Sequence, residues 1–132
     1  HITGKGKGTA MQEPGYYSTE FVNMELPHFY ACANFAVSRA GASAIAELKA
    51  NGIPTILVPL RSVAHDHQEK NAQLVSSQDD SFVLLEQNDL ESRLLPTLED
   101  LVLQQSDREG IDAARQIAQI LSETLEKRGG GE

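Results

Sequence analysis

Residues 34–72 decide the fold, and they read NFAVSRAGASAIAELKANGIPTILVPLRSVAHDHQEKNA. Two short apolar runs, Phe35–Val37 and Thr55–Val58, each lead into a loop and then into a helical pattern. Repeats of strand, loop and helix predict a parallel α/β sheet. Such sheets bind ligands at the carboxyl ends of their strands, where the loops present polar side chains and backbone N–H groups. The two loops are therefore the candidate site.

The alternating pattern extends in both directions from this stretch. Tyr16–Val22 is rich in strand-forming residues, and Ser81–Glu86 contains an apolar run typical of a strand covered on both faces. Helical patterns are expected at about 28–33, 43–50, 66–76, 94–102 and 111–125. The predicted fold is an α/β, Rossmann-like parallel sheet with helices on both faces.

Length, charge and cysteine content exclude several classes of protein. The 132 residues, 40% of them apolar and 23% charged, have the composition of one globular domain or a piece of one. A formal net charge of −8 argues against a nucleic-acid partner. The single cysteine, Cys32, cannot form an internal disulfide, which indicates a reducing compartment. Because Cys32 lies in an apolar helical pattern, we expect a buried structural thiol.

The N-terminal residues indicate a truncated domain. The chain opens on His1–Gly4, which has the character of the last residues of a strand. We expect one N-terminally truncated domain over 1–128 and a flexible tail over 129–132. Gly4–Thr9 is glycine-rich and basic but lacks the GxxxxGK[ST] spacing of a phosphate-binding loop, so we expect a mobile surface loop there.

The first loop, Ser38–Ser43, ends where a helix begins. The N–H groups and the dipole of a helix start favour an anion such as a diphosphate. Gly41 and Ala42 are small enough for a ligand to contact their backbone, and Ser43 can donate to a phosphate oxygen or cap the helix. Glu47 lies four residues after Ser43, on the same helix face, and its carboxylate can accept from two ribose hydroxyls. The alternative is that Glu47 only stabilises the positive end of the helix.

Three further polar residues have two interpretations each. Arg39 can neutralise a diphosphate, or it can form a structural salt bridge. His67 and Gln68 can donate to sugar hydroxyls, or they can be solvated residues at a helix start. The cluster His65-Asp66-His67 has no further histidine or cysteine group beside it, so we predict no metal site.

Three blocks of this sequence resemble the MurG family of GT-B glycosyltransferases, in the order and spacing of that family. The blocks are SRAGASAIAEL at 38–48, GIPxILVPL at 52–60 and DHQxxNA at 66–72. Phe21-Val22 also resembles the base-reading segment of the family. Members transfer N-acetylglucosamine from UDP-N-acetylglucosamine to lipid I during peptidoglycan synthesis. Two positions depart from the family pattern, with Ala40 in place of a frequent serine and Ala44 in place of a threonine.

The resemblance implies that this chain is the donor-binding, C-terminal half of a GT-B enzyme, without its first one or two strands. The Val22 backbone would contact uracil, Glu47 the ribose hydroxyls, and His67 and Gln68 the donor sugar. The residues implied at the nucleotide and diphosphate are Arg39, Gly41, Ala42, Ser43, Ala44, Ile45, Ala46 and Glu47. Catalytic residues, the lipid I site and the membrane-docking surface are expected in a separate N-terminal half, so this chain alone should be inactive.

The resemblance also implies a direct, inverting displacement that uses UDP-N-acetylglucosamine as donor substrate and needs neither cofactor nor metal. The full-length protein would work in the cytoplasm, on the inner face of the plasma membrane. Strand edges exposed by truncation favour self-association. Three alternatives remain at this level: a nucleotide-sugar-binding module completed by a partner chain, a GT-B transferase with another acceptor, and a structural α/β domain whose loops are only helix caps.

Overall fold

The computed structural model describes residues 1–60 and 66–109. The chain forms two compact units, one over 1–33 and one from Asn34 onward, and each is described by itself. The helix predicted at 111–125, the tail at 129–132 and His65 lie outside the described residues. The single domain expected over 1–128 stays a prediction.

The first unit contains one helix, α1, over Leu26–Cys32, close to the helix predicted at 28–33. Pro27 lies in its first turn, where the N–H that proline lacks would have no helical partner. The helix buries none of its side chains, and Cys32 is exposed. The prediction of a buried thiol is therefore wrong, because an apolar pattern in a helix of 7 residues creates no core by itself.

The strand predicted over Tyr16–Val22 is also wrong. This segment makes a single parallel bridge, in which Thr19 pairs with Ile2. The pairing does not continue because the N-terminal segment that contains Ile2 leaves the extended conformation at Gly4 and Gly6, whose φ angles are 97° and 73°. Strand-forming residues do not produce a strand when their partner turns away.

The second unit is built on a parallel sheet of three strands in the order β1-β2-β3. The strands are β1 over Ala36–Ser38, β2 over Thr55–Leu57 and β3 over Phe82–Leu84. In the register, Val37 lies opposite Ile56, and Ile56 lies opposite Val83. All three strands were predicted. β2 and β3 are each one residue shorter than their apolar runs, and β1 is shifted by one residue from the run Phe35–Val37.

Helices connect and follow these strands as the sequence predicts. They are α2 over Ala42–Ala50, α3 over Asp66–Gln78 and α4 over Leu90–Glu109, with a 3₁₀ turn over Gln87–Asp89 before α4. Gly52 follows the C-cap residue of α2, and its φ of 64° allows its N–H to bond the Lys49 carbonyl at 3.1 Å. The chain then returns directly into β2.

The core lies between the sheet and α4 on one face. Ile56 of β2 and Val58, which follows β2, pack with three residues of α4: Leu98, Leu101 and Val102. All three residues of β2 are buried, as expected for a central strand covered on both faces. Other buried residues belong to α2 and α3 and lie outside this cluster: Leu48, Ala72 and Val75. The Rossmann-like α/β prediction is confirmed, and the sheet brings the carboxyl ends of three strands to one edge.

Candidate functional site

The turn after β1 leads straight into helix α2. Gly41 is the N-cap residue, with extended backbone at φ −69° and ψ 140°, and its carbonyl accepts from the Ile45 N–H at 3.0 Å. Because Gly41 has no side chain, it cannot cap the first-turn N–H groups. Ala42 and Ser43 begin the helix and are exposed. An uncapped helix start at the carboxyl edge of a parallel sheet suits an anion.

Neither conformation nor packing requires glycine at position 41. Its φ of −69° is open to any L-residue, so no left-handed backbone conformation calls for glycine here. A Cβ placed on Gly41 would meet no heavy atom within 4 Å. The space beside the helix start is therefore open.

The start of α3 is attached directly to the turn after β1. The Asn71 side-chain amide donates to the Ala40 carbonyl at 3.3 Å. One helical turn earlier, Gln68 accepts from the Leu60 N–H at 3.2 Å through Oε1. These two side chains lie three residues apart, on the same helix face. The turn at Ala40 and the chain at Leu60 are therefore both hydrogen-bonded to this face of α3.

Arg39 extends along the carboxyl edge of the sheet. Its Nη1 donates to the Val58 carbonyl at 3.2 Å and to Oε1 of Gln87 at 3.1 Å. Arg39 follows β1, Val58 follows β2, and Gln87 comes shortly after β3. The guanidinium thus joins the ends of all three strands. Both acceptors are neutral oxygen atoms, so these bonds orient the cation without cancelling its charge.

Most of the predicted site residues belong to the second unit, in α2 and at the start of α3. Ala42, Ser43, Ala46 and Glu47 are exposed along α2, whereas Ala44 and Ile45 are half-buried. His67 is exposed at the start of α3, and Gln68 is half-buried beside it. The carboxylate of Glu47 is not sealed inside packed side chains.

Val22 belongs to the first unit, where it is half-buried in the wall of a cavity of about 470 Å³. Neighbouring aromatic side chains are exposed, with 70% of Phe21 accessible, and the rings of Tyr17 and Phe29 are stacked at 6.2 Å. The cavity is lined by Tyr17, Thr19, Phe21, Val22, Glu25, His28, Phe29 and Cys32. Its size and aromatic lining are compatible with a planar base.

Two residues of the edge were missed by the sequence reasoning. Asn71 lies in the block DHQxxNA, but no role was predicted for it. Gln87 was not among the predicted site residues. Gln87 comes shortly after a predicted strand, so the rule that polar residues at strand ends form the site would have found it. Within 1–60 and 66–109, the structure shows no group of three or more His, Cys, Asp or Glu side chains that could hold a metal ion.

The sequence that forms this sheet matches a known protein family. Residues 1–125 match the model of the glycosyltransferase family 28 C-terminal domain. The chain belongs to this family. The resemblance seen in the three sequence blocks is therefore confirmed at the level of the family.

Three relatives of this family 28 domain share the name UDP-N-acetylglucosamine–N-acetylmuramyl-(pentapeptide) pyrophosphoryl-undecaprenol N-acetylglucosamine transferase. The protein from Lachnoclostridium phytofermentans is 40% identical over 90 residues, which are 66% of this chain and 25% of that protein. That from Clostridium tetani is 41% identical over 90 residues, with the same coverage. That from Rippkaea orientalis is 33% identical over 135 residues, or 92% of this chain and 38% of that protein.

The matches thus cover 25% to 38% of the length of these relatives. No solved structure matches the chain. Among the helices that the structure describes, none combines the length and the apolar character needed to cross a bilayer.

Proposed function

We propose that this chain is the donor-binding part of an inverting glycosyltransferase, which transfers N-acetylglucosamine from UDP-N-acetylglucosamine to lipid I and so produces lipid II. The observation that carries the proposal is the contact between α3 and the turn after β1, where the Asn71 amide donates to the carbonyl of Ala40, just before Gly41. The names of the family 28 relatives support the choice of donor and acceptor.

In this proposal the start of α2 holds the diphosphate. The N–H groups of Ala42–Ala44 donate to phosphate oxygens, and Arg39 supplies a positive charge at the same edge. Negative charge develops on the UDP leaving group as the glycosidic bond breaks. A fixed helix dipole and a fixed cation stabilise that charge without reorganising, so the site needs neither a metal nor a cofactor.

Separate residues read the two sugars and the base. The Glu47 carboxylate accepts from the ribose hydroxyls, one helical turn after Ser43. Gln68 uses its amide nitrogen on the donor sugar because its oxygen already accepts from the Leu60 N–H. His67, exposed next to it, donates to the same sugar or to the diphosphate. In the first unit the Val22 backbone bonds uracil.

The acceptor side of the reaction belongs to the N-terminal half of such an enzyme. We place there the lipid I site, the catalytic base and the surface that docks on the cytoplasmic face of the plasma membrane. β1 is an edge strand of the described sheet, and its outer edge is where copies of this chain can associate.

Titration calorimetry with UDP-N-acetylglucosamine, UDP-glucose, UDP and uridine tests the donor site. We expect UDP-N-acetylglucosamine to bind more tightly than UDP-glucose, and UDP more tightly than uridine. Folded protein that gives no heat with any of these ligands would refute the proposal and favour a structural domain.

A transfer assay tests the division of labour. The purified chain, incubated with UDP-N-acetylglucosamine and a lipid I analogue, should give no product, because the acceptor site and the base are supplied elsewhere. Measurable formation of a lipid II analogue would show that this assignment of the acceptor side is wrong.

A further inference from the structure

We infer that Gln87 is a positioning residue for the donor diphosphate, because it holds the Arg39 guanidinium over the carboxyl edge of the sheet. The inference rests on the proposed function. Gln87 touches neither the reacting atoms nor, by this account, the ligand; it acts through Arg39. The one contact that carries this role is the 3.1 Å bond from Nη1 of Arg39 to Oε1 of Gln87.

Arg39 needs such a holder. A free arginine side chain samples many rotamers, and fixing it costs about 2 kcal/mol of conformational entropy. Two bonds from Nη1, one to the Val58 carbonyl and one to Gln87, fix the side chain before any ligand arrives. A diphosphate then meets a cation that is already in place, which makes binding stronger.

Backbone hydrogen bonds on both sides of Gln87 hold it in place. The Leu85 N–H bonds the Leu57 carbonyl at 2.9 Å, so the chain is still registered against β2 two residues before Gln87. Immediately afterwards, the Asp89 N–H bonds the Glu86 carbonyl at 3.0 Å and closes the 3₁₀ turn that leads into α4. Helix α4 contributes Leu98 and Leu101 to the core. Gln87 therefore lies on well-fixed backbone, which suits its side chain to hold Arg39 in place.

The neutrality of Gln87 is the decisive chemical feature. A glutamate at position 87 would accept the same hydrogen bond, and more strongly, because it is charged. It would also cancel the positive charge that the diphosphate needs. The carboxylate of Asp89, two residues after Gln87, has a cationic partner of its own, because it lies 3.8 Å from the guanidinium of Arg93 in α4. Gln87 therefore orients Arg39 while leaving its charge available to the ligand.

Gln87→Glu separates this role from a purely structural one. We expect its affinity for UDP to fall about tenfold, its affinity for uridine to stay unchanged, and its melting temperature to hold or rise. Gln87→Met, similar in shape but unable to accept the bond, should lose about threefold for UDP. Gln78→Glu, an equal charge change on an exposed residue at the end of α3, is the matched control and should bind UDP as the parent chain does.

The outcomes separate the inference from the function on which it rests. If the parent chain binds neither UDP nor UDP-N-acetylglucosamine, both the proposed function and the inference are refuted. If the parent chain binds UDP but Gln87→Glu keeps the same ratio of UDP to uridine affinity, only the positioning role is refuted. A loss of UDP affinity confined to the two Gln87 variants, with uridine unaffected, supports it.

Discussion

Helix α2 has a glycine at each end, and the two glycines are there for different reasons. Gly52, after the last turn, has a φ of 64°, a conformation that L side chains rarely adopt. Gly41, before the first turn, has an ordinary φ of −69° and open space where a Cβ would lie. The fold therefore favours glycine at position 52 but not at position 41, where the open space suits the proposed donor site.

The hydrogen bonds of the two ends differ in the same way. At the C-terminal end, the backbone and side chain of Asn51 both donate to the Glu47 carbonyl, at 3.1 and 2.8 Å. The Ile53 N–H donates to the Leu48 carbonyl at 3.0 Å, and Lys49 places a positive charge in the last turn. At the N-terminal end the cap residue has no side chain, and the first turn contains no acidic residue. The chain itself caps the C-terminal end, whereas the N-terminal end has no side-chain cap and is where the proposed diphosphate would bind.

Gly41→Asp should produce the largest change. Aspartate is a good N-cap, so the free energy of unfolding should hold or rise by a few tenths of a kcal/mol. Its charge, however, repels the diphosphate at the helix start, and UDP affinity should fall about thirtyfold, or about 2 kcal/mol. Calorimetry and thermal melting measure the two quantities. Gly41→Asn, which caps without charge, is the control, and an equal loss of affinity in both variants would contradict the electrostatic account.

Gly52→Ala should break the other end of the helix. Alanine at a φ of 64° costs about 1–2 kcal/mol, so the denaturant midpoint should fall while the slope of the transition stays the same. The molecules that remain folded should bind UDP with the parent affinity. A fall in affinity for UDP at conditions where the variant is fully folded would show that the two ends are not independent.

Glu47→Ala should have a smaller effect, limited to the ribose. Alanine is the best helix former, so stability should be retained, whereas UDP affinity should fall about fivefold, or about 1 kcal/mol. The loss of affinity for 2′-deoxy-UDP, which keeps only the 3′-hydroxyl, should be smaller than the loss for UDP. If the variant loses as much affinity for 2′-deoxy-UDP as for UDP, Glu47 does not read the ribose.

Lys49→Ala should have the smallest effect of the four. It removes a favourable charge from the last turn of α2 and should lower the free energy of unfolding by about 0.3 kcal/mol at low salt. The loss should disappear at high ionic strength, because this interaction is screened. Unchanged UDP affinity would confirm that the C-terminal end serves stability alone.

Most of the second unit could be predicted from the sequence because its signals are local. A continuous apolar run indicated β2, and Asn51-Gly52 followed by Pro54 indicated the end of α2. Helical spacing of Leu94, Leu98 and Leu101 indicated α4. In each case the residues that carry the pattern are those that the structure buries or turns.

The strand pairing of the first unit and part of the site could not be predicted in this way. Tyr16–Val22 has strand propensity, but its pairing depends on the path of the chain at Gly4, 12 or more residues away. The bond between Arg39 and Gln87 joins residues that are 48 positions apart, which only the register of the sheet brings together. Such contacts depend on tertiary geometry, which propensity does not contain.

The exposed thiol of Cys32 turns a failed expectation into a practical tool. It is the only cysteine in the chain, and it lines the same cavity as Val22. A maleimide fluorophore would therefore attach at one defined place, beside the proposed uracil pocket. Its emission would report binding of the base separately from binding of the phosphates.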